Sequence, residues 1–279
     1  MQILSIVFLT AFIFFSCSKV EEKKEVKHEP LVKTITEYTY QYSFGEPEQN
    51  GTKKSHTVFR YDSLKHLIEK IKYDEDGVDE KVIYEYNSGG HLIKELEYAS
   101  YMNEDDEPYT TTYVLDSLNR TFEMTKKYSS NIGSVYSYEY NKDGKVSKLT
   151  RHSLKNNTKG EIESLELYKY DNKGNNIELS IEDKKYEYSG KWVFQYNANN
   201  KILKRELFLN DGSLKDVITF IYDADELLIE TIGKTSPDNR LYNRSTMKYN
   251  GKGELIETLT YSYSNVGEPT ELTKYTYTY

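Results

Sequence analysis

One short unit recurs eight times along this chain and leaves few folds open to it. An aromatic residue, a spacer and usually Tyr are followed by Asn or Asp, a short turn often holding Gly, then an aliphatic residue. It reads Phe59-Arg60-Tyr61-Asp62, Tyr84-Glu85-Tyr86-Asn87, Tyr113-Val114-Leu115-Asp116 and Tyr138-Glu139-Tyr140-Asn141. It continues as Tyr168-Lys169-Tyr170-Asp171, Phe194-Gln195-Tyr196-Asn197, Phe220-Ile221-Tyr222-Asp223 and Met247-Lys248-Tyr249-Asn250. The anchors, residues 61, 86, 115, 140, 170, 196, 222 and 249, stand 25 to 30 residues apart. Internal periods of this size mark stacked supersecondary units.

The unit translates directly into local structure. Aromatic–polar–aromatic is period-two alternation, which puts both rings on one face of a strand. Asn or Asp opens a turn through its own side chain, and Gly supplies the positive φ where the chain reverses. Asp171-Asn172-Lys173-Gly174 and Asn250-Gly251-Lys252-Gly253 show this best, and a second strand leaves as Leu92 to Tyr98 or Leu255 to Tyr261. Each repeat is therefore one hairpin. The chain is expected to be all-β, an antiparallel meander of about eight Tyr-rich β-hairpin repeats, roughly 16 to 18 strands, forming an extended or curled sheet that is largely single-layer. No stretch carries helical periodicity.

Composition supports a thin structure. Hydrophobic residues make up 37% of the chain and 28 residues are Tyr, while 29% are charged. Tyr buries its ring and keeps its hydroxyl wet, so little Leu, Ile, Val or Phe remains for a deep core. A charge also stands eight residues after every anchor, at Glu69, Lys94, Glu123, Lys148, Glu178, Lys204, Glu230 and Glu257. Strict alternation places it on the face of the anchor aromatics, where a dry core would cost several kcal/mol per unpaired ion. That column predicts a half-wet sheet. It also counts against a transmembrane barrel, despite the aromatic ending Tyr275-Thr276-Tyr277-Thr278-Tyr279, because neither face is cleanly apolar.

The net charge is −8 with the basic residues spread evenly, so nucleic acid is not an expected partner. Residues 2–16 are uncharged and apolar, too short for a spanning helix and suited to a signal-peptide core. They end at Ser16-Cys17, and Cys17 is the single cysteine of the chain. A small residue before a lone Cys after such a run resembles a bacterial lipobox, although no Lys or Arg precedes it and Phe14 replaces the usual Leu. The resemblance implies cleavage before Cys17 and lipidation of its thiol, each buried acyl CH₂ contributing about 0.8 kcal/mol of membrane affinity. Residues 1–16 then form the signal peptide, 17–35 a lipidated, charged tether and 36–279 the repeat domain. The segment after Cys17 resembles the surface-export signals of Bacteroidetes lipoproteins. The expected location is the cell envelope, on an outer-membrane lipoprotein facing the periplasm or the surface.

The repeats themselves resemble the YD-repeat, or RHS-type, family, best at Tyr168 to Gly174 and Tyr138 to Val146, over about residues 56–279. The spacing is looser than usual there, and the turn Gly is missing after Tyr61 and Tyr196. RHS proteins are known as shells around a C-terminal toxin, and here the repeats run to Tyr279. The resemblance implies architecture rather than an activity.

Nothing in the sequence nominates catalytic residues. His28, His56, His66, His91 and His152 lack metal-ligand spacing, and the acidic runs 74–80 and 104–107 read as solvated loops. No phosphate loop, Gly-x-Ser-x-Gly or Cys-His arrangement is present, so no catalytic group, metal or cofactor is expected. Trp192, Phe194 and Tyr196 share a face by even spacing and form a candidate stacking platform for a sugar ring. The sequence favours a non-enzymatic envelope lipoprotein that binds a glycan or an envelope protein, or serves as a scaffold. Two other classes remain open: an accessory or relic component of an RHS-type toxin/immunity system, and a carbohydrate-active enzyme subunit.

Overall fold

The computed structural model describes residues 31–43, 46–47, 52–74, 76–103, 105–186, 188–262 and 269–279. Cys17, the expected signal peptide and the tether to residue 30 lie outside them, as do Glu75 and Glu104 of the acidic runs. The first strands are β1 (Leu31–Ser43), the two-residue β2 (Glu46–Pro47), β3 (Thr52–Tyr61), β4 (Leu67–Tyr73), β5 (Val78–Tyr86) and β6 (Leu92–Ala99). Then come β7 (Tyr109–Leu115), β8 (Thr121–Lys127), β9 (Ile132–Tyr140), β10 (Val146–Lys155), β11 (Thr158–Tyr170) and β12 (Asn176–Asp183). The last are β13 (Tyr188–Tyr196), β14 (Ile202–Leu209), β15 (Leu214–Tyr222), β16 (Leu228–Thr235), β17 (Leu241–Tyr249), β18 (Leu255–Ser262) and β19 (Glu271–Thr278). β1 begins at Leu31, so residues 31–35, expected in the tether, already belong to the sheet.

From β3 to β19 the strands pair antiparallel with their chain neighbours, and β1 pairs with both β3 and β19. The sheet is therefore neither extended nor merely curled. It closes into a β-barrel of 18 strands, with β2 a small extension on β1. Eight hairpins run from β3–β4 to β17–β18, and a ninth is assembled from the two ends of the chain. In it β19 supplies the aromatic strand, Tyr275-Thr276-Tyr277, and β1 supplies its partner. Among the described residues, closure pairs both edges of each of the 18 barrel strands and so removes the open edges that recruit other chains.

A recurring stagger builds this curvature. The ladder row starting at Phe59 passes Lys70 and reaches Val82, two residues short of Tyr84. The row from Tyr168 passes Leu179 and reaches Trp192, again two short of Phe194. Across the closing strand the offset is four, the row from Tyr275 passing Glu37 to reach Ser55. Such an offset at each hairpin tilts the strands relative to the ring axis, which is what a closed barrel requires.

Every hairpin turn is built alike. The Asn or Asp after the anchor accepts backbone N–H bonds two and four residues on; Asp171 Oδ1 takes those of Lys173 at 2.9 Å and Asn175 at 2.8 Å. The residue four after the anchor has φ between 60° and 85° in all eight turns. Gly fills that place four times, and Lys65, Asn119, Asn200 and Glu226 fill it otherwise, so the turns that lack Gly still form, those after Tyr61 and Tyr196 among them.

Just past each turn the second strand carries one extra residue, a β-bulge. Tyr61 faces Leu67 but Arg60 faces Glu69, leaving Ile68 unmatched, and the same shift recurs in all eight hairpins. The bulge reverses the parity of the second strand. The charged column consequently faces away from the aromatics, contrary to the expectation from strict alternation. Each of its members is ion-paired on that opposite face: Glu85–Lys94 at 3.0 Å, Glu139–Lys148 at 2.7 Å and Lys169–Glu178 at 2.7 Å lie directly across a hairpin, as do Arg60–Glu69 and Lys248–Glu257. Glu123, Lys204 and Glu230 pair with Lys159, Glu206 and Arg244.

The anchor tyrosines use the carbonyls beside these bulges. Tyr86, Tyr140, Tyr170, Tyr196, Tyr222, Tyr249 and Tyr277 each donate their hydroxyl to the residue preceding the extra one in the previous hairpin, Tyr170 to Val146 O at 2.8 Å and Tyr196 to Asn176 O at 2.7 Å. Adjacent hairpins are thereby stitched at one rim. The wall stays thin: among the described residues no large side chain is less than 2% exposed, and the longest-reaching ion pair, Lys159 to Glu123, spans three ladder steps.

Candidate binding surface

Trp192 and Phe194 do share a face with Tyr196, as their spacing predicts. Trp192 lies between Leu179 and Leu207 in the ladder, and Phe194 opposes Arg205. Arg205 turns its guanidinium over the Trp192 ring at 4.9 Å, so a cation–π contact already occupies one face of the expected platform. The Tyr196 hydroxyl is committed to Asn176 O, and burial raises its pKa. The structure brings the three side chains together as a wall element. Arg205 was not visible in the sequence, because its pairing depends on the bulge at Leu203.

A groove lies on the other face of the same strands. Leu167, Ser180, Lys191 and Phe208 form one ladder row across β11 to β14, and Leu165, Glu182 and Ser189 the row beside it. Small side chains at Ser180, Ser189 and Gly190 leave a trough of about 840 Å³ between the leucines and Phe208. Its volume is that of a small-ligand site. Lys191 lies 3.6 Å from Glu178 and 5.8 Å from the centre of the Phe208 ring. Aliphatic and aromatic walls beside hydroxyls and a carboxylate can stack on a sugar and accept its hydroxyl protons. The sequence signal was present, two serines and a glycine inside strands, but only the pairing sets them side by side.

The histidines serve the wall. His66 stacks on Tyr86 with ring centroids 4.8 Å apart and bonds Asp62 Oδ2 through Nδ1 at 2.9 Å, a contact that helps hold the Asp62 carboxyl below the usual range after burial is overcome. His66 also lies against Gly90 of the next turn. His56 stacks on Tyr73 at 4.3 Å, and His152 contacts Gly160 O. In the acidic run 74–80, Asp74 caps its own turn, Asp79 pairs with Lys72 and Glu80 with Lys70. Among the described residues no three His, Cys, Asp or Glu groups converge as a metal site.

A family model described as "Protein of unknown function (DUF2963)" matches residues 48–97, which run through β3–β6. No curated protein matches the chain. Among solved structures, it is similar to the TcdB2-TccC3-TEV crystal structure at 12% identity over 77% of this chain, with a TM-score of 0.32. It spans only 12% of that much longer protein. A porin-like protein from Bacteroides uniformis ATCC 8492 is 11% identical over 88% of this chain and 96% of its own, with a TM-score of 0.45. The Photorhabdus luminescens Tc holotoxin pore is 12% identical over 84% of this chain and 15% of its own, with a TM-score of 0.34.

Proposed function

We propose that the chain is a lipid-anchored envelope protein whose barrel is a non-enzymatic binding module standing in water beside a bilayer. The observation that carries this reading is the distribution of charge on the closed wall. Arg151 and Arg205 lie mid-strand on the aromatic face, and Lys81, Lys191 and Arg244 mid-strand on the other. A cation at the midplane of a lipid-facing strand costs about 2–4 kcal/mol, so charge on both faces favours a wall standing in water. Attachment then falls to the acylated Cys17. Replacing Cys17 with Ser is expected to move the protein from the membrane to the soluble fraction, and unchanged partitioning contradicts the anchor.

The groove favours a glycan as the partner. Its leucine and Phe208 walls suit the apolar face of a sugar, and Glu182, Ser180 and Ser189 suit the hydroxyls. On a glycan array, Phe208→Ala and Glu182→Ala are expected to weaken any binding at least tenfold while Trp192→Ala leaves it within twofold. The reverse order would return the site to the Trp192 face, and absence of binding removes the glycan reading.

A further inference from the structure

The extra residue of each bulge is apolar in seven of the eight hairpins and Ser147 in the other. A bulge needs an additional residue but not an apolar one, and four of these side chains are exposed, while Ile68, Ile93 and Ile229 are half-buried. Phe122 is 51% exposed, Leu203 40%, Ile177 37% and Ile256 36%. Because all eight turns lie at one end of the strands, these residues ring one rim. Two turn tips on the same rim add Leu64 at 74% and Leu118 at 68% exposure.

The chain enters the barrel at that rim. Leu31, the first residue of β1, pairs with Tyr61 at the end of β3. Thirteen residues separate Leu31 from Cys17, a span of at most about 50 Å when fully extended. Exposed Lys65, Lys142, Lys173 and Lys252 also crown these turns, against Asp143, Asp223 and Asp225. Long cationic side chains lay their stems on apolar surface and keep their charge among headgroups. The opposite rim exposes Val78, Tyr101, Tyr128, Ile132 and Tyr186. These form no repeating ring, being scattered over loops of unequal length and the strand ends beside them, with Tyr101 near the acidic residues 105–107 and Asp74 and Asp76 crowding another loop of that rim.

We propose that the turn rim lies against the lipid headgroup layer, with the bulge side chains as its apolar contact and the loop rim directed away. The contact rests on the reading of Cys17 as the anchor, and it adds an orientation that the tether alone does not impose. Each side chain contributes weakly, as at other interfacial surfaces, and the ring acts through its number and its nearness to the acyl chains.

Acylation consumes the only native thiol, so single cysteines can carry a fluorophore at Leu118→Cys or Leu203→Cys on the turn rim, and at Tyr186→Cys on the loop rim. The full chain is reconstituted in phosphatidylethanolamine–phosphatidylglycerol vesicles with a headgroup-attached quencher. Quenching at Leu118→Cys and Leu203→Cys should exceed that at Tyr186→Cys severalfold, and Ile177→Asp with Ile256→Asp should reduce it severalfold while the protein stays bound. Equal quenching at both rims, or the reverse order, overturns the proposal even when the protein co-sediments with the vesicles. Failure to co-sediment instead contradicts the anchor. The same labelled chains carrying Cys17→Ser are then added to vesicles at high lipid concentration, where selective quenching of the turn rim supports the contact and its absence overturns it.

Discussion

The tyrosine hydroxyl is where the smallest change should register. In seven places an anchor Tyr gives its proton to a carbonyl beside the bulge of the preceding hairpin. Tyr170→Phe keeps the ring and removes the donor to Val146 O, so it should cost about 1–2 kcal/mol in urea unfolding. A loss below a few tenths would mean that water replaces the bond freely. Backbone conformation offers the opposite sign. Lys65 holds φ 66° at the place Gly takes in four other turns, and Lys65→Gly should stabilise the protein by about 0.5–1 kcal/mol. Gly144→Ala, at φ 76°, should destabilise it by a similar amount. The role of Tyr was legible in part from its count and spacing; the hydroxyl's acceptor was not, since it lies in another repeat.

At the scale of the hairpin, the extra residue decides which way the second strand faces. Reading Ile177-Glu178-Leu179 by simple alternation puts Glu178 with the aromatics, because no residue type marks a bulge as Gly marks a turn. The structure shows Glu178 opposite Lys169 on the other face, and Lys169 and Lys191 together hold its carboxyl below the usual range. Deleting Ile177 should therefore do more damage than its modest burial suggests. It forces either Glu178 onto the aromatic face or a slipped register, and the cost should be several kcal/mol, read as a drop in Tm well beyond that of Ile177→Ala. Equal effects of deletion and truncation would show that the bulge is dispensable. The first strand of each hairpin was legible, as Trp192, Phe194 and Tyr196 demonstrate by sharing one face. Arg205 over Trp192 was not, for the same reason of parity.

For the whole molecule, the wall's tyrosines set its behaviour in alkali. Burial raises the pKa of Tyr84, Tyr113 and Tyr168 far above the ordinary value, and pushes Tyr138 up to about 12. A raised folded-state pKa means that the unfolded chain loses these protons first, so their contribution is complete below about pH 10 and is lost as pH rises toward the folded values. Tyrosinate absorbance should consequently rise together with loss of the sheet signal above pH 10, rather than as a separate titration of an intact barrel. Closure was the part least accessible from sequence. The eight hairpins announce themselves, but the ninth joins Tyr275-Thr276-Tyr277 to a segment more than 230 residues away, Thr34–Gln41, and only the accumulated stagger brings them together. A spin-label pair at Thr36→Cys and Thr276→Cys, with Cys17→Ser, measures this directly, because the two positions are ladder partners. The closed barrel predicts one short distance, that of adjacent strands. An open sheet would separate them by seventeen strand spacings, about 80 Å, and a distribution near that value would contradict the barrel.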